Sequence, residues 1–264
     1  MNELKAFIQA QRSKKPLLLM THVVYGYPSV EKSLEVMAHL LDNGVELLEV
    51  QFPFSDPVAD GPVITAACHE AISHQPKLEQ CIEDIKALSR QYPDSKLLLM
   101  SYLNPVLNYG VERLAETLSG DIAGIIIPDI TIQGQRLLAP LDKHGVTPVW
   151  IITPDTAAER IAQISDTADG MLYCVSNAGV TGQQADGLDN IQSYLARVRQ
   201  HTELPLSVGF GISSGEHLQR LAGHADVAIV GSALLKAFNQ DELTGVAEKL
   251  RELQSAISEM LSGA

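Results

Sequence analysis

The sequence has few basic residues, few cysteines and no long apolar run, and each scarcity excludes a class of protein. Lysine and arginine number 19 against 32 aspartate and glutamate, which gives a net charge of −13 at pH 7. A chain this acidic is a poor candidate for binding nucleic acid or an anionic membrane surface. Any anionic ligand must therefore be held by local backbone dipoles rather than by a broad positive field.

The cysteines are scattered, at Cys68, Cys81 and Cys174, and none forms a C-x-x-C pair. This pattern predicts reduced thiols in a cytoplasmic protein, with no disulfide framework and no zinc site. No apolar stretch reaches the ~20 residues that a helix needs to cross a bilayer. The first residues, MNELKAFIQAQRSKK, predict a short amphipathic helix without a signal-peptide core, so we expect a cytoplasmic location and no membrane partner.

No linker rich in proline, glycine or serine divides the chain, so we predict one domain over residues 1–264. Short apolar runs alternate with segments of helical periodicity. Eight short strands buried on both faces and separated by helices fit an α/β fold closed as a (β/α)₈ TIM barrel better than an open doubly wound sheet. The predicted strands are Leu17–Val24, Val45–Val50, Lys96–Tyr102, Gly124–Ile127, Thr147–Ile152, Met171–Val175, Pro205–Val208 and Val227–Val230.

Helical segments are predicted after each of these strands, and a last helix closes the chain. They are Val30–Asn43, Leu78–Gln91, Gly110–Thr117, Gly134–His144, Thr156–Thr167, Asn190–Gln200, Gly215–Gly223, Ala233–Phe238 and Glu242–Met260.

Function in such a barrel sits where strands run into their following loops. Glu49 lies in the second apolar run, and strand alternation puts it on one face with Leu47 and Gln51, which we expect to point into the barrel. A buried carboxylate is costly unless the protein satisfies it or uses it. Glu49 is therefore a candidate general acid or base, and the alternative is a structural carboxylate satisfied by hydrogen bonds.

Two further acids follow in the next loop, where Asp56 precedes Pro57 and Asp60 precedes Gly61-Pro62. Loop aspartates usually cap turns or helices, and for Asp56 we favour such an Asx-turn. Asp60 is the stronger functional candidate. Two carboxyls at a barrel mouth, Glu49 and Asp60, could supply proton transfer and charge stabilisation together.

Glycine-rich loops end the last two predicted strands, at Gly209-Phe210-Gly211 and at Gly231-Ser232. Glycine lets backbone N–H groups approach a ligand closely, and a helix N-terminus adds partial positive charge. Loops after strands seven and eight, with a short extra helix, form the common phosphate site of barrels. The sequence therefore predicts a phosphate site here, and the alternative is tight turns only.

The segment 176–187, SNAGVTGQQADG, follows the sixth predicted strand and contains three glycines. Polar loops of about a dozen residues without regular structure are often lids over a site. We expect a lid here, and the alternative is a passive surface loop.

Six segments carry a family resemblance in their order and spacing: LEVQFPFSDPVADGP, SYLNPVLNYG, IIIPD, AGVTG, GFGIS and VGSAL. Together they resemble the tryptophan synthase α-subunit family over essentially the whole chain. The resemblance implies a (β/α)₈ barrel with an extra N-terminal helix and a short phosphate-binding helix after strand eight. It also implies a lyase that cleaves indole-3-glycerol phosphate to indole and glyceraldehyde 3-phosphate, the α half-reaction of tryptophan biosynthesis.

The resemblance further implies no metal and no cofactor in this chain. Pyridoxal phosphate is expected only in a partner β-subunit, which receives the indole through a tunnel in an α₂β₂ complex. The substrate is expected to be a small phosphate ester, and no nucleic acid partner is expected.

The same resemblance implies roles for individual residues. Glu49 would protonate carbon C3 of the indole as the carbon–carbon bond breaks, and Asp60 would stabilise positive charge at the indole nitrogen. Thr181 in the lid would bridge to Asp60 on closure. The indole slot would be lined by His22, Met100, Tyr102, Ile152, Tyr173 and Phe210. The phosphate would sit on Gly182, Gly211, Ile212, Gly231 and Ser232. The loop facing the β-subunit would contain Pro53, Phe54, Asp56 and Pro57.

Four positions depart from the commoner family pattern. Gln51 stands where a glycine is usual, and His22 replaces an aromatic or apolar residue of the indole slot. Asn177 replaces a lid arginine, and Thr131 stands where a proline is common. Gln51 and His22 both add polarity near Glu49.

Two other functions remain open at the level of sequence. The chain could act mainly as an activator and binding partner of a β-subunit, with weak lyase activity of its own. A barrel isomerase or aldolase acting on another sugar phosphate would need a different base or a Schiff-base lysine. Within the predicted strands the only lysine is Lys96, at the wrong end of strand three, which argues against an aldolase of that kind.

Overall fold

The structure is a computed structural model, and it describes residues 2–175, 190–209 and 211–262. Eight parallel strands close into a barrel in which every strand pairs with its neighbours in chain order. The predicted α/β barrel is confirmed, and the bounds of each predicted strand differ from those observed by two residues at most. The strands are β1 (Leu18–Val24), β2 (Leu47–Gln51), β3 (Lys96–Met100), β4 (Gly124–Ile126), β5 (Thr147–Ile152), β6 (Leu172–Val175), β7 (Leu206–Gly209) and β8 (Val227–Val230).

Eleven α-helices lie within the described residues. A short 3₁₀ helix, Ile132–Gly134, precedes the seventh of them. The last helix contains non-helical backbone at Asp241 and Glu242, which divides it near the predicted break. The helices are α1 (Glu3–Arg12), α2 (Val30–Asp42), α3 (Pro62–Ser73), α4 (Leu78–Gln91), α5 (Leu103–Tyr109), α6 (Val111–Leu118), α7 (Gln135–Lys143), α8 (Ala158–Thr167), α9 (Ile191–Arg199), α10 (Gly215–Leu221) and α11 (Ser232–Ser262).

The apolar core has two main layers, one inside the barrel and one between the barrel and its helices. Alternate residues of each strand contribute to different layers because successive side chains point to opposite faces. In β2, Leu47 packs in the interior cluster, whereas Leu48 and Val50 pack in the outer one. The expectation that Leu47, Glu49 and Gln51 face inward is therefore confirmed by the placement of Leu47 and its neighbours.

Helix α1 covers the barrel end at which the strands begin. Its Leu4 and Ile8 are fully buried in the interior cluster. The Asn2 side chain accepts from the backbone N–H of Lys5 at 3.2 Å and donates to Thr147 Oγ1 at 2.7 Å, which caps the helix and ties it to β5. With that end covered, the opposite end, where the strands finish, is the one that positions polar residues.

Helix α3 was not expected from the sequence, which predicted only a loop around Gly61-Pro62. The structure places Gly61 at the N-cap and Pro62 in the first turn of the helix. Proline is tolerated there because an N–H group at that position would have no partner within the helix. Ile64, Cys68 and Ala71 then follow at helical spacing and are buried. Asp60 thus lies directly before a helix N-terminus, a position that favours negative charge.

No helix in the described part of the chain is long and apolar enough to cross a membrane. The three cysteines are free and buried.

Candidate active site

Strand β2 presents Glu49 to the interior of the barrel at the strand's carboxyl end. The residue is 3% exposed, and it is paired in register with His22 of β1 and Leu98 of β3. Its Oε2 atom has no hydrogen-bond partner among the described residues. Loss of solvation raises the pKa of Glu49 to about 8, and the nearby Asp60 carboxylate adds to the shift. At neutral pH Glu49 is therefore mainly a protonated acid with a proton to give.

Asp60 differs from Glu49 in that neighbouring side chains donate hydrogen bonds to it. Its Oδ2 atom accepts hydrogen bonds from Gln51 Nε2 at 2.7 Å and from the Tyr102 hydroxyl at 2.9 Å. Burial raises the pKa of Asp60, while His22 and these two donors oppose that rise by favouring the charged form. Two nearby carboxyls whose environments differ in this way suit separate acid and anion roles.

Tyr102 joins the loop after β2 to the end of β3. The backbone N–H of Ala59 donates to the Tyr102 hydroxyl at 3.1 Å, and that hydroxyl donates onward to Asp60. The ring of Phe54 stacks on the Tyr102 ring, with centroids 5.2 Å apart. The buried ring of Tyr102, at the end of the neighbouring strand, therefore fixes the loop that carries Asp60.

Three residues of the predicted indole slot lie in the interior cluster: Met100, Tyr102 and Tyr173. The expectation for Ile152 is wrong, because Ile152 packs in the outer cluster with Trp150. Val149 of β5 lies in the interior cluster, and Ile151 packs against it. The residue implied by the resemblance is thus one position too far along β5, where neighbouring residues are apolar on both faces.

The predicted phosphate site lies at the adjacent ends of β7 and β8. Gly211 has a φ of +88°, a backbone conformation that side chains disfavour, and Ile212 beside it is buried. Gly231 directly follows β8, and Ser232 begins α11, whose Leu235 N–H donates to the carbonyl of Gly231 at 3.1 Å. Backbone N–H groups at this helix start are placed to bind an anion.

Gly209 is packed directly against a predicted wall of the slot. A Cβ atom at Gly209 would lie 2.5 Å from the Tyr173 hydroxyl oxygen and 2.7 Å from Tyr173 Cε1. We expect Gly209→Ala to displace the Tyr173 ring and lower kcat/KM for the chain's reaction by about 100-fold, the scale of a 1 Å misplacement. Steady-state kinetics measures this. Gly120→Ala meets open space but is strained by a φ of +81°, and it lies before β4, away from the site. It is therefore the control for a general loss of stability and should react normally, whereas normal kinetics for Gly209→Ala would contradict the prediction.

The loop predicted to face a partner is partly exposed. Pro53 and Pro57 are buried, while Asp56 is exposed and Val58 is 71% exposed. The Asp56 side chain accepts from the Ser55 hydroxyl at 2.6 Å, and the Val58 N–H donates to the Asp56 carbonyl in a tight turn. Asp56 therefore belongs to a turn, but its side chain does not form the backbone bond of an Asx-turn.

Several sequence-predicted residues lie outside the described part of the chain: Phe210, Thr181, Gly182 and Asn177. Thr131 is exposed and directly precedes the 3₁₀ helix.

Sequence reasoning missed Cys68 as a neighbour of the site. Its Sγ atom lies 3.4 Å from Gln51 Nε2, because α3 turns back over the end of β2. Burial raises the pKa of the Cys68 thiol to about 12, so the thiol stays neutral beside the carboxyls. The Gly61-Pro62 helix start was the available signal for this placement.

Comparison of the sequence with known proteins points to one family. A family model described as tryptophan synthase alpha chain matches residues 7–263. The tryptophan synthase alpha chain of Desulforapulum autotrophicum is 36% identical over 252 residues, which cover 95% of this chain and 99% of the relative. That of Chloroflexus aggregans is 38% identical over 262 residues, covering 97% and 98%.

Solved structures give the same answer. A Mycobacterium tuberculosis tryptophan synthase structure superposes with a TM-score of 0.89 at 29% identity, covering 97% of this chain and 98% of that one. Tryptophan synthase subunit alpha from Legionella pneumophila superposes with a TM-score of 0.87 at 27% identity, covering 98% and 99%. The match of the family model to residues 7–263, together with relatives above 30% identity over nearly the whole chain, shows that the chain belongs to the tryptophan synthase alpha chain family.

Proposed function

We propose that Glu49 and Asp60 carry out the lyase reaction of this family in the mouth of the barrel. The chain is a lyase of tryptophan biosynthesis, and it cleaves indole-3-glycerol phosphate to indole and glyceraldehyde 3-phosphate. The observation that carries the proposal is the contrast between the two carboxyls. Glu49 is buried with a bare Oε2 atom, whereas Asp60 accepts two hydrogen bonds at Oδ2.

The bond to be broken joins C3 of the indole to the hydroxyl-bearing carbon of the glycerol chain. In the proposed first step, Glu49 gives its proton to C3, and positive charge develops at the ring nitrogen. Asp60, as an anion, stabilises that charge. The Glu49 carboxylate then takes the proton of the adjacent hydroxyl, the C–C bond breaks, and its electron pair restores the indole ring. The hydroxyl carbon leaves as the aldehyde, and Glu49 ends protonated as it began.

The pKa of Glu49 suits this double role. A general acid–base group works best when its pKa lies near the operating pH, because both forms are then accessible. Burial raises the pKa of Glu49 to about 8, well above that of an ordinary carboxyl. The absence of a described hydrogen bond at Oε2 keeps the proton available for transfer rather than engaged with the protein.

Substrate binding is proposed to use apolar walls and backbone dipoles. Met100, Tyr102 and Tyr173 line the interior of the barrel and offer flat surfaces to the indole ring. The phosphate is proposed to bind Gly211, Ile212, Gly231 and Ser232, with Gly182 from the predicted lid. The start of α11 supplies N–H groups and partial positive charge, which suits a chain with a net charge of −13.

Side-chain proton transfer supplies the whole of this chemistry, so the proposed mechanism uses no cofactor. The proposed partner is a pyridoxal-phosphate β-subunit in an α₂β₂ complex, contacted through the loop of Pro53, Phe54, Asp56 and Pro57. Exposure of Asp56 and Val58 supports a contact role for this loop. We also propose a cytoplasmic location, which the three free thiols support.

Direct assay of indole release from indole-3-glycerol phosphate tests the proposal. We expect the purified chain to release indole alone and to do so faster when a β-subunit is added. The alternative of a mainly activating subunit with weak lyase activity predicts a different pattern, in which little indole forms but the β-subunit's own reaction accelerates. No effect on the β-subunit's reaction would exclude that alternative, and the absence of indole release in both conditions would overturn the proposed lyase mechanism.

A further inference from the structure

A chain of hydrogen bonds crosses the barrel mouth from β1 to the loop after β2. Gln51 stands in the middle of it and is fully buried. Its Nε2 atom lies 2.7 Å from Asp60 Oδ2, and its Oε1 atom lies 2.7 Å from His22 Nε2. The register that pairs His22 with Glu49 and Val24 with Gln51 brings these side chains together at one end of the barrel.

The partners fix the direction of every bond in this chain. An ionised carboxylate only accepts hydrogen bonds, so the amide nitrogen of Gln51 faces Asp60 and its oxygen faces His22. The His22 Nε2 atom must then carry a proton. Loss of solvation lowers the pKa of His22, so the imidazole is neutral and the tautomer is the one that donates to Gln51.

Both described bonds to Asp60 end on the same oxygen. Gln51 and Tyr102 each donate to Oδ2, and within the described residues neither donor engages Oδ1. A carboxylate anchored through one oxygen presents the other in a fixed direction. A carboxylate held in this way can keep its other oxygen turned toward the nitrogen of a bound indole ring.

We propose that Gln51 is a positioning residue that anchors the Asp60 carboxylate for the substrate, and that His22 fixes the direction of the Gln51 amide. The inference rests on the proposed role of Asp60. It gives a structural role to Gln51 and His22, which both depart from the commoner family pattern. Each is the hydrogen-bond partner that the other needs in the interior of the barrel.

The hydrogen-bond donors that favour the ionised form of Asp60 are neutral side chains, those of Gln51 and Tyr102. The titratable groups that act on it from the surrounding elements, within the described residues, include neither lysine nor arginine. They are His22 of β1, Glu49 of β2, Cys68 of α3, Tyr102 after β3 and Tyr173 of β6. Since Gln51 is one of only two donors to Oδ2 among these described residues, its loss should disfavour the ionised form of Asp60.

Gln51→Met removes both polar atoms of the side chain at similar length. We expect the Asp60 carboxyl, followed by ¹³C NMR in the free enzyme, to titrate at higher pH than in the wild type. We also expect the acid limb of the kcat/KM profile for indole release to move to higher pH, with about a tenfold loss near neutrality, the scale of one hydrogen bond to a charged group. Gln80→Met is the matched control, because Gln80 Nε2 donates to Asp84 Oδ1 at 2.9 Å on the exposed face of α4.

His22→Phe tests the second half of the proposal. It leaves the Gln51 oxygen without its partner, so the amide is free to rotate, and we expect kcat/KM to fall by about threefold with the same direction of pH shift. In the Gln51→Met background the same change should move the acid limb no further, because the neutral imidazole acts on Asp60 through Gln51. A further, additive shift of the acid limb in the double variant would overturn that half.

An Asp60 titration that is unchanged in Gln51→Met would overturn the positioning role. If that variant does not fold, Gln51→Leu also removes the donor without adding charge, and Asp60 should again titrate at higher pH. The NMR readout does not depend on turnover. Full activity in Asp60→Asn would therefore sink the proposed function while the Asp60 titration still decided the role of Gln51.

Discussion

Replacing Glu49 by glutamine is expected to lower the rate of indole release by about three orders of magnitude, within the usual contribution of a general acid–base group. Glutamine keeps the size and polarity of the side chain, but it has no proton to give to C3 and cannot take one from the substrate hydroxyl. The measurement is kcat for indole release at saturating indole-3-glycerol phosphate. Turnover within a few-fold of the wild type would rule out Glu49 as the proton donor.

The pH dependence of stability separates lost chemistry from a lost fold in this variant. The pKa of Glu49 is raised from 4.5 to about 8 in the folded chain, so the folded state binds more protons than the unfolded state between those values. The contribution of Glu49 to the free energy of unfolding is therefore full below about pH 4.5 and is lost as pH rises through 8. Glutamine does not titrate.

Urea unfolding at pH 5 and pH 9 measures this difference. The free energy of unfolding of Glu49→Gln minus that of the wild type should be larger at pH 9 than at pH 5. A folded variant with this pH signature and no activity would place the defect in proton transfer. If the difference in free energy of unfolding between Glu49→Gln and the wild type were the same at pH 5 and pH 9, Glu49 would not be a buried acid with a raised pKa.

The strands could be predicted closely because each is a short apolar run buried on both faces, a pattern that few other structures produce. The facing of a strand could be predicted only where the pattern is uneven. In β2, Glu49 and Gln51 mark one face as different from the other. In β5, Val149, Ile151 and Ile152 are all apolar, so alternation alone does not say which residue enters the barrel, and it gave no check on the resemblance, which implied the outer residue Ile152.

The candidate acid could be found from sequence, whereas the support around Asp60 could not. A charged residue inside an apolar strand is visible in the order of residues alone. The bonds from Tyr102 and Gln51 to Asp60 depend on how the loop after β2 folds, and that loop leads into α3, which was not predicted. The bond between His22 and Gln51 depends on the register of β1 against β2, which short apolar strands do not encode locally.

Asp60→Asn is expected to lower kcat/KM for indole release by at least about two orders of magnitude. Asparagine is neutral, so positive charge developing at the indole nitrogen meets no anion. Its amide would also have to turn its oxygen toward Gln51 and Tyr102, which donate at 2.7 and 2.9 Å, and would then present its NH₂ group to the substrate N–H. Two donors facing each other repel, and the loss should be larger in the transition state, where the charge appears.

Separate measurement of kcat and KM tests this reasoning. We expect most of the loss in kcat, since an interaction made chiefly in the transition state leaves substrate binding nearly intact. Asp84→Asn is the matched control, because Asp84 accepts from the Tyr25 hydroxyl at 2.5 Å and from Gln80 Nε2 at 2.9 Å, the same two kinds of donor, but lies on α4 outside the barrel. A loss confined to KM, or an equal loss in Asp84→Asn, would mean that Asp60 serves the fold or ground-state binding rather than the charge that forms as the bond breaks.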